Sequence, residues 1–361
     1  MFGTMKQAES VFPCINLGAL LDQATGDFYF GPDGEVICNG GLWRCTGIGG
    51  LGNSFKTAFL LYMQLTAMAR SRKSGGAIYE TESALMIERV ANLAESLGHG
   101  REMVYDMARY LFTDKSEYPF GNKFWTDFKK MLIVRDKENP EIVTTPFKNP
   151  RTKQVFQVKR PMFSGIDSFS KFGVEATDKA DEKDAKQSLG ESGRNMEAMH
   201  DGRAKAQLMN ELPGLTAQHN LYILLTAHVG EEYQLDPMKP VRKQFQHMRQ
   251  GIKFKGVGEQ FKFLTNVLWF ADGAELLVNP GTKEPEFPES GVNYNKKDPD
   301  LTCVHYTTIR NKGNSSGQVI PIVFSQGQGL LPGLTEFYYC CLLYTSPSPR
   351  DISGSRMPSS A

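Results

Sequence analysis

The 361 residues carry 41 Lys and Arg against 40 Asp and Glu, a formal net charge of +1, and 40% of them are hydrophobic. That balance supplies one large core or two smaller ones and excludes a chain disordered over most of its length. No apolar run approaches the about 20 residues of a membrane span, the N-terminus lacks a basic segment followed by an apolar one, and Cys14, Cys38, Cys45, Cys303, Cys340 and Cys341 form no Cys-x-x-Cys pair. Membrane, disulfide-framed and structural-zinc classes are therefore set aside, and a soluble cytoplasmic protein with reduced thiols is expected.

Residues 1–11 read as a short N-terminal extension. The first element with chemistry follows the apolar run Leu42 to Thr46. It is the stretch Gly50-Leu51-Gly52-Asn53-Ser54-Phe55-Lys56-Thr57, ahead of a helical pattern from Ala58 to Ala69. A glycine-rich turn leading into a helix points backbone N–H groups at an anion, and the helix dipole adds positive potential there. Gly50, Gly52, Asn53, Ser54, Phe55, Lys56 and Thr57 are thus the expected phosphate contacts, with Lys56 on the β- and γ-phosphates and the Thr57 hydroxyl on Mg²⁺; together they read as a site for MgATP. Phe55 departs from Gly-x-x-x-x-Gly-Lys-Ser/Thr by standing where the pattern has its second glycine.

Gly75 and Gly76 precede a short strand, Ala77 to Tyr79, that ends in Glu80-Thr81-Glu82, and Met86, Val90, Leu93 and Leu97 then recur with helical period. The C-terminal edge of a parallel sheet is where ligands bind, and a carboxylate there can polarise an attacking water. Glu82 is the expected catalytic base; a glutamate capping the following helix is the alternative. Residues 131–159 read as a β-hairpin insertion, because Leu132–Val134, Glu141–Thr144 and Val155–Val158 alternate with Asn-Pro turns. Pro161 to Ile166 leads into Asp167, which could hold Mg²⁺ through a water beside Thr57. Leu221 to Ala227 is a buried strand ending at His228, placed to sense the γ-phosphate or to be merely structural.

From Lys239 to Lys255 the chain places Lys239, Arg242, Lys243, Arg249, Lys253 and Lys255, with Phe245 and Phe254 interleaved and no acidic residue. Such a segment suits a polyanion, the cations tracking phosphates and the rings stacking on bases. Val267–Ala271, Glu275–Val278, Leu301–Ile309 and Val319–Phe324 should close the sheet with antiparallel strands. Alternating strand and helix patterns give an α/β class, a mainly parallel sheet with helices on both faces. Residues 339–361 are expected to be a non-native or disordered tail: from about Cys341 they are Ser/Pro/Arg-rich, without hydrophobic period, and resemble translated sequencing-adaptor sequence.

This order of motifs resembles the RecA-like ATPases, and most nearly the strand-exchange recombinases of tailed phages. Ser54-Phe55-Lys56-Thr57, Tyr79-Glu80-Thr81-Glu82, Ile166-Asp167-Ser168, His228 and Phe12-Pro13-Cys14-Ile15-Asn16 carry the likeness, which spans roughly Phe12 to Leu331. It implies a RecA-like P-loop core over 12–338, and a DNA-dependent ATPase of recombination and repair that uses ATP and Mg²⁺. Such an enzyme coats single-stranded DNA, promotes homologous pairing, and self-associates into a filament or ring. It also implies that Arg310 and Lys312, in Thr307 to Lys312, reach a neighbouring subunit's γ-phosphate, and that one DNA loop lies in Phe172 to Arg194 and a second in 230–258. A ring-forming replicative helicase motor fits Arg310-Asn311-Lys312-Gly313-Asn314 as well, and a non-hydrolysing DNA-binding mediator is a third reading. The long separation of Glu82 from Asp167 departs from the family and marks the insertion.

Overall fold

The structure is a computed structural model and describes residues 14–15, 17–30, 36–71, 74–138, 141–148, 154–173, 191–232, 243–279, 281–282 and 301–345. At the start, β1 (Cys14–Ile15) pairs with β4 (Leu42–Trp43), and α1 (Ala19–Thr25) precedes the hairpin of β2 (Asp27–Phe30) and β3 (Val36–Asn39). Then come β5 (Cys45–Gly50), α2 (Lys56–Arg70), β6 (Gly75–Glu80), α3 (Ile87–Ser96), α4 (Glu102–Tyr105), β7 (Tyr110–Asp114) and α5 (Gly121–Glu138). The hairpin β8 (Ile142–Lys148) and β9 (Val155–Lys159) leads to β10 (Met162–Asp167), a turn of 3-10 helix at Phe169–Lys171, and α6 (Glu191–His219). The remainder is β11 (Leu221–Glu231), β12 (Ile252–Phe254), α7 (Gly258–Leu264), β13 (Val267–Leu276), β14 (Leu301–Asn311), β15 (Val319–Ser325), β16 (Gly329–Leu330) and α8 (Pro332–Thr345).

The main sheet runs β16-β15-β14-β13-β5-β11-β10-β6-β7. β13, β5, β11, β10, β6 and β7 are parallel to one another, whereas β14, β15 and β16 close the sheet antiparallel. The expected fold class is therefore the observed one. Its two layers follow from the period-two alternation of strand side chains. Ile78, Phe163, Tyr222, Leu224, Val267 and Trp269 bury against Phe59, Leu60 and Met63 of α2 and Val90 and Leu93 of α3. Their sequence neighbours Tyr79, Met162, Ile223, Leu225, Leu268 and Phe270 join Phe124, Trp125 and Phe128 of α5, Leu208 and Leu212 of α6 and Phe261 of α7 on the other face.

Parity decides what α2 sees. Gly165 and Asp167 lie two and four residues from Phe163, and Thr226 and His228 continue the Tyr222–Leu224 row, so all point to the face that α2 covers. The parallel strands end together at Gly50, Glu80, Asp167 and His228, beside the N-terminus of α2.

Three expectations change. Leu132–Val134 is not a strand: it continues α5, because Phe124, Trp125, Phe128 and Leu132 recur with helical period and bury one face. The hairpin excursion is thus β8–β9 alone. Residues 339–345 are helical within α8, where an unstructured tail was expected, since Leu331, Leu334 and Tyr338 pack on Leu277, Leu301 and Val323. Glu275–Leu276 belongs to the same strand as Val267–Ala271, across an irregularity between Ala271 and Ala274. No helix among the described residues is long and apolar enough to cross a membrane.

Candidate functional site

β5 delivers Gly50 to the loop, and the loop folds around its own lysine. Lys56 Nζ donates to the Leu51 carbonyl at 2.6 Å and to Ser54 Oγ at 3.3 Å, while Ser54 Oγ donates to the Leu51 carbonyl at 2.7 Å. The Tyr306 hydroxyl secures the Ser54 carbonyl from β14 at 2.8 Å. Burial pulls the Lys56 ammonium below the usual lysine range, with Asp167 and Glu82 opposing that pull. Gly52 and Asn53 stay exposed at the rim.

Phe55 explains its own departure from the pattern. It caps the N-terminus of α2 with φ 54° and ψ 26°, the left-handed conformation for which glycine is the usual residue. Its half-buried ring stacks on Phe324 of β15, centroids 4.9 Å apart and planes within 17°, so packing offsets a backbone cost of about 1–2 kcal/mol.

Two carboxylates face the loop from neighbouring strands. Asp167 accepts from Thr57 Oγ1 at 2.5 Å on one oxygen and from Thr226 Oγ1 on the other. Burial raises its carboxyl above the ordinary aspartate value, while the two hydroxyls and Lys56 act to lower it. Glu82 stands in the open, on the turn after β6. Its Oε1 is 2.7 Å from His228 Nε2 and 3.6 Å from Lys171 Nζ. Burial tends to raise the Glu82 carboxyl, but His228 and Lys171 together hold it below the usual glutamate range, hence ionised.

The turn that presents Glu82 is built by residues that the sequence reading did not single out. Glu80 is buried, its carboxylate accepting from the Glu82 and Ala84 N–H groups at 2.8 and 3.1 Å; burial raises its carboxyl. Thr81 ties the ends of β6 and β10 together, its Oγ1 accepting from Ser168 N–H at 2.7 Å and donating to the Ser168 carbonyl at 3.0 Å. Thr226 could have been found by parity, since it shares the His228 face of one strand. Glu80 could have been found in the same way, since it shares the Ile78 face of β6.

Gly52 to Thr57, Glu80, Glu82, Asp167 and His228 line one cavity of about 810 Å³, together with Arg89, Leu276, Thr302 and Gln326. That volume accommodates a nucleotide-sized ligand. Mg²⁺ fits the donor set: the Thr57 hydroxyl and an Asp167 oxygen are hard oxygen donors, adjacent, and beside the loop that would hold phosphates. Among the described residues no cluster of three His, Cys, Asp or Glu is arranged as a metal cage.

Arg310 and Lys312 are not at this cavity. β14 runs antiparallel to β13, with Arg310 opposite Leu268 and Asn311 opposite Val267, so both cations lie near the N-terminal edge of the parallel strands. Arg310 Nε and Nη2 donate to the carbonyls of Thr265 and Phe263 at 3.0 and 2.8 Å, capping the end of α7. Lys312 is exposed.

The basic segment grows directly out of the site. β12 pairs with the end of β11, Val229 opposite Phe254 and Gly230 opposite Lys253. Lys239 and Arg242 lie outside the described residues, as does most of Phe172 to Arg194. Lys243, Arg249 and Lys255 are exposed; Lys253 is ion-paired with Glu232. Phe254 is corrected: it is 9% exposed and packed between Phe245 and Phe261, so it is a core side chain and no platform for bases. A Cβ on Gly49 would meet its ring at 2.2 Å, so the strand of the loop is shaped around it. Phe245 is half-buried against the same ring, its centroid 6.2 Å away.

No family model matches the chain, and no curated protein matches it. Among solved structures it is similar to the crystal structure of the RadB recombinase, at 14% identity over 81% of this chain and 91% of that chain, with a TM-score of 0.41.

Proposed function

We propose that the chain is a RecA-like, DNA-dependent ATPase that binds single-stranded DNA and promotes homologous pairing in recombination and repair. One observation carries the nucleotide half of this reading: Lys56, Thr57, Asp167, Glu82 and His228 come from four parallel strand ends and converge on one cavity. Lys56 and the free N–H groups of α2 bind the β- and γ-phosphates. Thr57 and Asp167 are the residues that would hold Mg²⁺, which neutralises phosphate charge when bound. Glu82, kept ionised by His228 and Lys171, orients a water on the γ-phosphate and takes its proton.

The DNA half is supported by Lys243, Arg249 and Lys255, exposed on the segment that returns to β11 beside His228. Arg310 and Lys312 would serve a neighbouring copy, in a filament or a ring. The test is ATP turnover with and without single-stranded DNA, together with formation of a paired joint between single strand and homologous duplex. DNA-stimulated turnover that vanishes in Glu82→Gln, ATP binding lost in Lys56→Ala, and joint formation by the wild-type chain are expected. Unwinding of a forked duplex without pairing would replace the recombinase by the ring-helicase reading, and DNA-independent, negligible turnover would replace it by the mediator.

A further inference from the structure

Lys205, on α6, belongs to no motif, yet only 2% of its side chain is exposed. Its Nζ lies 2.7 Å from Asp201 Oδ2, 2.7 Å from the Gly256 carbonyl and 3.0 Å from the Ser170 carbonyl, so each ammonium proton has an acceptor. A lysine this buried is uncommon and stays only where fully paired. The two carbonyls it joins come from different places: Ser170 follows Asp167, and Gly256 ends the basic segment.

The same junction is hydrogen-bonded to the nucleotide site. Ser170 Oγ accepts from His228 N–H at 2.8 Å and donates to the Lys255 carbonyl at 2.8 Å, while Lys255 N–H donates to the His228 carbonyl at 3.0 Å. His228 Nε2 in turn meets Glu82. Gly256 adds an independent sign of close fit: it has φ +67°, and a Cβ there would stand 2.7 Å from the Ser170 carbonyl oxygen.

We infer that Lys205 is a positioning residue that couples the nucleotide site to the basic loop, its ammonium clamping Ser170 and Gly256 into one unit that follows His228. The inference rests on the nucleotide-site reading above. Without the clamp, a shift of Glu82 and His228 is absorbed at the Ser170 turn; with it, the shift moves residues 243–256. A neutral side chain could not serve three oxygens at once, which is why an ammonium occupies this position.

The experiment is hydrogen–deuterium exchange across 243–256 with and without a non-hydrolysable ATP analogue and Mg²⁺, on the full chain. In the wild type the analogue slows exchange at Lys253–Gly256 by about tenfold or more. In Lys205→Met the analogue's affinity stays within about threefold while that slowing is lost. Gly256→Ala, whose Cβ would press on the Ser170 carbonyl that Lys205 holds, should lose the slowing as well, and it carries the test if Lys205→Met does not fold. Slowing that survives in Lys205→Met, or in Gly256→Ala where the methionine variant is unfolded, overturns the proposal. So does a wild-type chain that binds the analogue without any loop response. A wild-type chain that does not bind the analogue in a fluorescence titration instead removes the nucleotide-site reading on which the clamp rests.

Discussion

Replacing Phe55 separates backbone strain from ring packing at the position where the glycine-rich loop departs from the phosphate-loop pattern. In Phe55→Ala the left-handed φ remains and the ring is gone. Loss of a half-buried phenyl costs about 1–2 kcal/mol, and loss of the stack on Phe324 about 0.5–1.5 kcal/mol more. Phe55→Gly suffers the same losses but relieves left-handed strain of about 1–2 kcal/mol, against about 0.5–1 kcal/mol of extra chain entropy in the unfolded state. Glycine should therefore be the better replacement by up to about 1.5 kcal/mol, inverting the order expected at an ordinary helix position. The assay is urea unfolding of the nucleotide-free chain, read as a shift in midpoint at constant slope. A double-mutant cycle with Phe324→Ala should give a coupling of about 0.5–1.5 kcal/mol. An alanine variant clearly more stable than the glycine variant, or a coupling of zero, would refute the reasoning that packing holds this aromatic residue in a conformation meant for glycine.

Three other outcomes are expected. Removing His228 as His228→Asn takes away the partner that depresses Glu82 and leaves the burial that raises it, so the ionised base is lost at higher pH. The acid limb of the turnover profile moves upward, and coincident limbs in wild type and variant would contradict the assignment. Lys255→Ala should flatten the salt dependence of single-stranded DNA binding by about 0.7 in log–log slope, whereas Lys253→Ala, whose ammonium is already paired with Glu232, should change it less; equal slopes for all three proteins would move DNA to another surface. Mixing Glu82→Gln with an Arg310→Ala/Lys312→Ala double variant, each inactive alone, should restore turnover at mixed interfaces. A mixture as inactive as its components would deny Arg310 and Lys312 a role in a neighbour's site.

The candidate site was legible in the sequence because its parts are local. A glycine-rich turn between strand and helix, and acidic or imidazole side chains at the ends of apolar runs, are read from spacing alone, and strand parity then aims Asp167, Thr226 and His228 at α2. What escaped depends on contacts distant in sequence. Phe254 looked like an aromatic interleaved with cations, and only the pairing of β12 with β11 turns it onto Gly49. Leu132 to Val134 has strand-like composition, but the face begun by Phe124 and Trp125 keeps it helical. Lys205 has acceptors contributed by Ser170 and Gly256, a relation that no local window contains.

The two edges of the sheet explain why a second copy enters the argument at all. Val267 lies opposite Thr46 and Ala271 opposite Gly50 on one side of β13, and on its other side Leu268 pairs with Arg310. At about 3.3 Å per residue, Arg310 is set back about 10 Å from Gly50 along the strands before the glycine-rich loop begins. Its guanidinium is also turned away, onto the carbonyls that end α7. Within one chain, then, Lys56 is the proposed phosphate cation of the cavity, and Arg89, which also lines it, is bonded to the carbonyls of Gln326 and Gly327. Charge developing on a transferred phosphoryl group favours further cations. If Arg310 and Lys312 supply them, they do so at the opposite edge, to a cavity presented by another copy. On the proposed function, a lone chain is a slow ATPase and assembly on DNA is what completes the site.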